Sequence, residues 1–310
     1  MAEWTRSRFV NEYIPGLETV MVDSYLSKRA ESMWPKLVTT KTSKKKKEED
    51  TLRSRLGLPL EKGEGAGITY DVQIAGAKQA WIHTVYALGV RITEEAVEDN
   101  LYELGGGGNA DDVQELYADL GDSMARNVEV VVSRLLTSAT ATTYHTTRNS
   151  AALLSTTHSR LDGSTFSNYL TATDLTPASF WAAVIAAENQ LDHRQARVEK
   201  RVKNLWIPPQ LEKKAREILY STDAPDTANR AINAYKQSGR NISLNKWAYL
   251  TDADGWFLQC DGIAFKFYWR RKTRFAREGD FQTGDIQVKG DQRFSVEIDD
   301  EREILGNVPA

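Results

Sequence analysis

Apolar residues recur along this chain in two periods, and the periods mark out its elements. Val113, Leu116, Tyr117, Leu120, Met124, Val128, Val131, Val132 and Leu135 fall at three- and four-residue spacing. That predicts one long amphipathic helix with a single apolar face. Asn109 stands at its start as a cap, with Asp111 and Asp112 in the first turn, where free amides and the helix dipole favour acids. Another helix is expected from Thr93, with Glu94 and Glu95 at its start, cut by Gly105, Gly106, Gly107 and Gly108 because glycine is costly inside a helix. Thr176 and Pro177 form a strong start signal, a capping hydroxyl followed by proline at the first helical position. That helix is expected to run to about Leu191, and residues 211–220 make a further one.

Alternation with period two marks strands. Phe265, Phe267 and Trp269 alternate with Lys266, Tyr268 and Arg270, which predicts a strand with a buried aromatic face. Residues 202–208 read as a strand that Pro208 and Pro209 must end, since proline cannot continue a ladder. Residues 247–250, 256–260, 285–288 and 293–298 are also β-prone. Residues 68–74 and 81–90, joined across 76–80, predict a two-stranded hairpin with little apolar mass of its own; such a hairpin is marginal in water and needs a neighbour. Upstream, residues 1 to about 60 have scattered apolar positions and the run KTSKKKKEED at 41–50, which predicts an arm with a solvated turn or hinge. A nucleic-acid-contacting tail is the sharper reading of Lys44 to Lys47, but the acids that follow largely cancel the charge. Residues 223–239 form a long polar loop, no tandem repeat is visible, and the mixture is α+β rather than a regular βαβ series.

Composition changes the picture little. The 310 residues, 41% hydrophobic and 27% charged, describe an ordinary globular protein without the roughly 18-residue apolar run of a membrane helix. The N-terminal MAEWTRSRFVNEY has no apolar core, so a secretory signal is not expected. Cys260 is the sole cysteine, which forbids an internal disulfide and fits a buried small hydrophobe better than a reactive thiol. Forty basic against 43 acidic residues, net −3, lack the basic excess of a dedicated nucleic-acid binder.

Tests for chemistry are negative. His83, His145, His158 and His193 lack metal-ligand spacing, and Asp252 with Asp254 and Gly255 opens like a calcium loop but has no glutamate at the required offset, leaving a hairpin turn. The glycine run lacks the Lys-Ser/Thr of a phosphate loop, and no nucleophile elbow is present. No catalytic set, cofactor or metal is expected. The stretch FKFYWRRKTRFARE at 265–278 has two readings. Aromatics interleaved with cations suit a single-strand-binding platform, whereas the clean alternation suits a strand whose Arg270, Arg271, Arg274 and Arg277 are left to meet acids of another chain or DNA.

Four segments in order carry a resemblance: YALGVRITEEAVED from Tyr86, Ser155-Thr-Thr-His158 with Asp162-Gly163 and Ser167-Asn168, Leu205-Trp-Ile-Pro-Pro209, and Arg293-Phe-Ser-Val296. Across roughly 69–299 the chain resembles the major capsid (head) proteins of tailed phages, closest to the Mu-like head-subunit group. The resemblance implies the Hong Kong 97-type capsid fold: an N-terminal arm at 1–60, an extended hairpin loop at 61–92, a peripheral domain with a long spine helix at 93–173 and 263–310, and an axial domain at 174–262. It implies hexamers and pentamers of an icosahedral head enclosing double-stranded DNA, made in the host cytoplasm, with portal, scaffolding and possible decoration proteins as partners and no membrane. Expected assembly residues are Tyr70, Asp71, Gln73 and Trp81 on the hairpin, with Arg270, Arg274 and Asp285 in intersubunit ion pairs; Gly105 to Gly108 are the expected hinge. An encapsulin-like nanocompartment shares this fold, and a nucleic-acid-binding protein using 265–278 is the alternative of another class.

Overall fold

The computed structural model describes residues 14–93, 110–171, 173–223, 232–280 and 282–308. The helix expected from Thr93 and the four glycines at 105–108 lie outside the described residues, apart from Thr93 itself.

The chain enters as α1 (Ile14–Glu31), where sequence patterning predicted only an arm. Its apolar stripe is narrow: Leu17, Met21 and Tyr25 are buried, while Val22 and Leu26 stay exposed. Three positions four apart are enough only because a second helix receives them. A short α2 (Trp34–Leu37) and an edge strand β1 (Thr39–Thr42) follow.

The acidic end of the charge run becomes a strand. β2 (Lys47–Arg53) pairs antiparallel with β3 (Ala75–Ile82), Lys47 opposite Ile82 and Asp50 opposite Gln79. This corrects the expected hairpin in two ways. Residues 68–74 form no strand, and the partner of 75–82 is 47–53. The reason is electrostatic. Glu49 bridges Lys47 and Lys78, both at 2.5 Å, and hydrogen bonds from these lysines lower its pKa to about 2. Charges that repel burial in isolation are thus satisfied across the ladder. β4 (Thr84–Ile92) leaves this ribbon and joins a larger sheet.

The long helix forms as expected: α3 (Ala110–Thr137) buries Tyr117, Leu120, Met124, Val128, Val131, Val132 and Leu135, although Leu116 on the flank of the stripe is exposed. Where α1 crosses it, a Cβ on Gly121 would lie 2.2 Å from the Met21 carbonyl oxygen, so the two backbones touch. After α3 come a two-stranded ladder, β5 (His158–Ser159) with β6 (Thr165–Phe166), and α4 (Pro177–Glu188). The α4 start is a reciprocal capping box: Thr176 Oγ1 accepts from Ser179 N, and Ser179 Oγ accepts from Thr176 N.

Two sheets organise the rest. β7 (Val202–Ile207), α5 (Glu212–Tyr220), α6 (Ala234–Gln237), β8 (Ser243–Lys246) and β9 (Trp256–Cys260) build the second sheet with the final strand β12 (Ile304–Asn307), in the order β12-β9-β7-β8. β10 (Phe265–Gly279) and β11 (Ile286–Ile298) form the long hairpin of the first sheet, in the order β1-β10-β11-β4. The aromatic alternation of β10 is as expected: Phe265, Phe267 and Trp269 are buried under α3 with Trp34 and Phe294. Three expectations change. β11 is one strand rather than two, because it is central and its polar middle is held on both sides. Gln292 there is fully buried, donating to the Met124 carbonyl and accepting from Thr273 Oγ1. β8 ends before Trp247, whose ring leaves the sheet to bond α3. β12 returns to the second sheet, where the resemblance had the chain end finish in the first; its four residues are all buried.

The helix crossing makes a direct prediction. Gly121→Ala should force α1 off α3 and destabilise by about 1–3 kcal/mol, as overpacking does. Denaturant unfolding with an unchanged midpoint would show that the backbones do not touch.

Candidate assembly surfaces

Among the described residues no cluster of histidine, cysteine and acids could hold a metal ion. Cys260 is buried, as expected of a small hydrophobe, and burial pushes its thiol up to about 12. His158 is buried and bonded to the Leu153 carbonyl and the Asn168 side chain; burial holds its pKa below the usual value.

The conspicuous surface is the excursion between β2 and β3. It closes at its base, where Ser54 N donates to Ile74 O and Ile74 N donates to Ser54 Oγ, each at 2.9 Å. Beyond that point both limbs run without helix or strand and carry alternating apolar side chains: Leu56, Leu58, Leu60, Ile68, Tyr70 and Val72 are 59–85% exposed. Single exposed apolar residues are ordinary, but six on one short loop mark an interaction surface. Tyr70 and Gln73, predicted as assembly residues, are exposed here. Asp71 is bound by Arg194 of the same chain.

Trp81 is a correction. It is 1% exposed, stacks on Tyr268 with ring centroids 5.4 Å apart, and has Lys266 Nζ 5.5 Å from its ring. It anchors the stem of the loop to the subunit's own first sheet and offers a neighbour nothing. The anchor continues in a four-membered ion network. Arg148 meets Asp299 at 2.9 Å and Asp50 at 3.3 Å; Lys266 meets Asp299 at 2.6 Å and Asp50 at 3.2 Å. Partial burial opposes ionisation of Asp50, but hydrogen bonding and attraction from Lys266, with the charge of Arg148, hold its carboxyl below the usual range.

The expected intersubunit ion pairs mostly close within the chain. Arg274 forks onto Asp291 at 2.7 and 3.0 Å, as their facing places in the β10–β11 ladder require. Asp285 is buried and pairs with Arg91. Arg270 has no acidic partner among the described residues, and its Nε is buried without an acceptor.

A family model described as phage capsid protein matches residues 82–307. The chain belongs to the phage capsid protein family. Solved structures agree on the fold. The capsid of the cyanophage P-SCSP1u is 13% identical with a TM-score of 0.55, covering 88% of this chain and 86% of that one. A Microbacterium phage Oxtober96 chain is 9% identical with a TM-score of 0.55, covering 90% and 91%. The capsid of an empty GTA particle is 10% identical with a TM-score of 0.55, covering 90% of each. No curated protein matches in sequence. The likeness is to capsids with the Hong Kong 97-type fold; the Mu-like group is not distinguished within it.

The capsid protein is therefore a structural subunit of the virion shell, and its working parts are contacts. Three that patterning missed join elements far apart in sequence: the Asp50–Arg148–Lys266–Asp299 network, Arg194 on the loop, and Glu129. Glu129 lies beside Val128 in the apolar run of α3, the one sign of it in the sequence. Its carboxylate accepts from Met33 N at 2.6 Å, Trp34 N at 3.4 Å and Trp247 Nε1 at 2.9 Å, tying the entry of α2 and the second sheet to α3. Burial pushes its pKa up, against these hydrogen bonds.

Two outcomes follow for the loop stem. Trp81→Ala should destabilise by about 3–5 kcal/mol, the usual cost of deleting a large buried aromatic, measured by denaturant unfolding. Because the folded pKa of Asp50 is depressed, its contribution is present above the unfolded value near ~3.9 and is lost as pH falls through the folded value. The stability gap between the wild type and Asp50→Asn should hold from neutral pH down to about 4 and close below it; a gap that stays constant into acid would refute the network.

Proposed function

We propose that this capsid protein is the major head subunit of a tailed phage, assembling as hexamers and pentamers around double-stranded DNA. The carrying observation is the row of exposed apolar side chains on the 54–74 loop. Fully burying one such side chain is worth about 1.5–3 kcal/mol, so six docked on an adjacent copy would drive association strongly. A closed shell is the arrangement in which such head-to-tail contacts repeat and still close.

In this reading the α3 helix and the first sheet are the peripheral domain, α3 being its spine. The second sheet with α4 and α5 is the axial domain, residues 223–239 lie near the capsomer axis, and the glycines at 105–108 are the hinge. Arg270 remains the candidate for an intersubunit ion pair, since no acid among the described residues meets its charge. Portal and scaffolding proteins complete the partner set, assembly takes place in the host cytoplasm, and no enzymatic step is assigned. No helix of the described residues is long and apolar enough to cross a membrane.

The test is direct. The wild-type chain co-expressed with its scaffold should give closed shells by negative-stain microscopy, and nuclease-resistant DNA in mature heads distinguishes a genome container from a protein-filled compartment. Leu58→Asp with Tyr70→Asp should leave far-ultraviolet circular dichroism unchanged and abolish shells. Normal shells from that double variant would remove the loop from the assembly mechanism.

A further inference from the structure

The two limbs of the 54–74 loop share no ladder, yet they are held together at one point above the base. Asp71 Oδ2 accepts from Gly57 N at 2.6 Å on the opposite limb and from Arg194 Nη1; Asp71 Oδ1 accepts from Val72 N at 2.8 Å and Arg194 Nη2 at 2.9 Å. Arg194 Nη2 also donates to the Val72 carbonyl at 3.0 Å. One carboxylate thus joins limb to limb and both to the turn at 191–197. That turn is itself stiff. Asp192 Oδ1 accepts from Arg194 N and Ala196 N, both at 2.8 Å, and Gln195, in the left-handed region at φ 58°, donates from Nε2 to Asp162 at 2.8 Å. A planar guanidinium on a fixed turn reads a carboxylate in two-pronged geometry, which a flexible cation would not. Position 57 fits the same demand. A Cβ on Gly57 would lie 3.2 Å from Asp71 Oδ2 and 3.3 Å from Arg194 Nη1, in the space the clamp uses.

We propose that Arg194 is a positioning residue for shell assembly: through Asp71 it clamps the loop of its own subunit in the extended shape whose apolar row a second copy of this chain receives. The inference rests on the loop-docking reading and deepens it. A free loop of this length would have to be ordered at the moment of docking, and ordering beforehand spares that cost. The clamp is exposed enough to remain salt-sensitive, so its strength comes from geometry rather than charge alone.

Charge exchange tests it. Asp71→Arg and Arg194→Asp, each alone, should raise the concentration at which shells form by about tenfold or more, read by light scattering and microscopy, because the docking-competent fraction falls. Both changes in one chain rebuild the ion pair to the 191–197 turn and should recover assembly in part, since an arginine at 71 cannot accept from Gly57 N; mixing the two single variants should recover none, because the pair forms within a subunit. Restoration by mixing, or single variants that assemble like the wild type, would overturn the proposal. Hydrogen exchange of residues 56–72 in unassembled subunits gives a second readout: protection should fall in each single variant. Unchanged protection in the single variants also overturns it. A wild-type chain that never forms shells would count against loop docking itself, while the exchange data would still decide the clamp.

Discussion

The apolar face of α3 is what the rest of the structure depends on. Every other part of the first core is placed by where it meets that face: Trp34 and the aromatic row of β10 on one side, Phe294 of β11 beneath, and α1 along the N-terminal half. Burying seven large side chains at about 1.5–3 kcal/mol each gives a gross gain that the backbone of one helix could not supply. The same helix reaches the second sheet through Glu129 and Trp247, so the two sheets are referenced to a single rod.

The ion pairs do a different job. Arg148 and Lys266 are nearly withdrawn from water, as are Lys200 and Glu303, which meet at 2.7 Å just ahead of β12. Taking charges out of water costs about what their attraction returns, so such pairs add little net stability. What they add is register. Asp50 can sit only where Arg148 and Lys266 await it, and this sets where the loop leaves the body. A shell subunit needs that departure point to be the same in every copy, because small errors at the root are magnified at the tip.

Among the described residues, most of the residues expected at interfaces are met within the body, while the 54–74 loop leaves its apolar side chains exposed. Arg274, Asp285 and Trp81, all reasonable interface residues by sequence, are consumed inside the body. Leu56 through Val72 are left unburied, and a family whose members form shells gives that surplus a use.

Local patterning by itself determined α3, the capped start of α4, the strand stopped by Pro208 and the inward aromatics of β10. These depend on residues within a few positions of one another, through period, capping and proline geometry. Four short motifs in order also pointed to the capsid family. Only the tertiary structure decided that KEED lies in a strand, that α1 is a helix with a use, that β11 is continuous, that Trp81 is buried and that β12 closes the second sheet. Each of those depends on a partner far along the chain, Lys266 for Asp50 across 216 residues, for example, or Gly121 for Met21. Periodicity shows which side of an element is apolar. Which strand pairs with which, and which charge meets which, follows from the packing that brings those sides together.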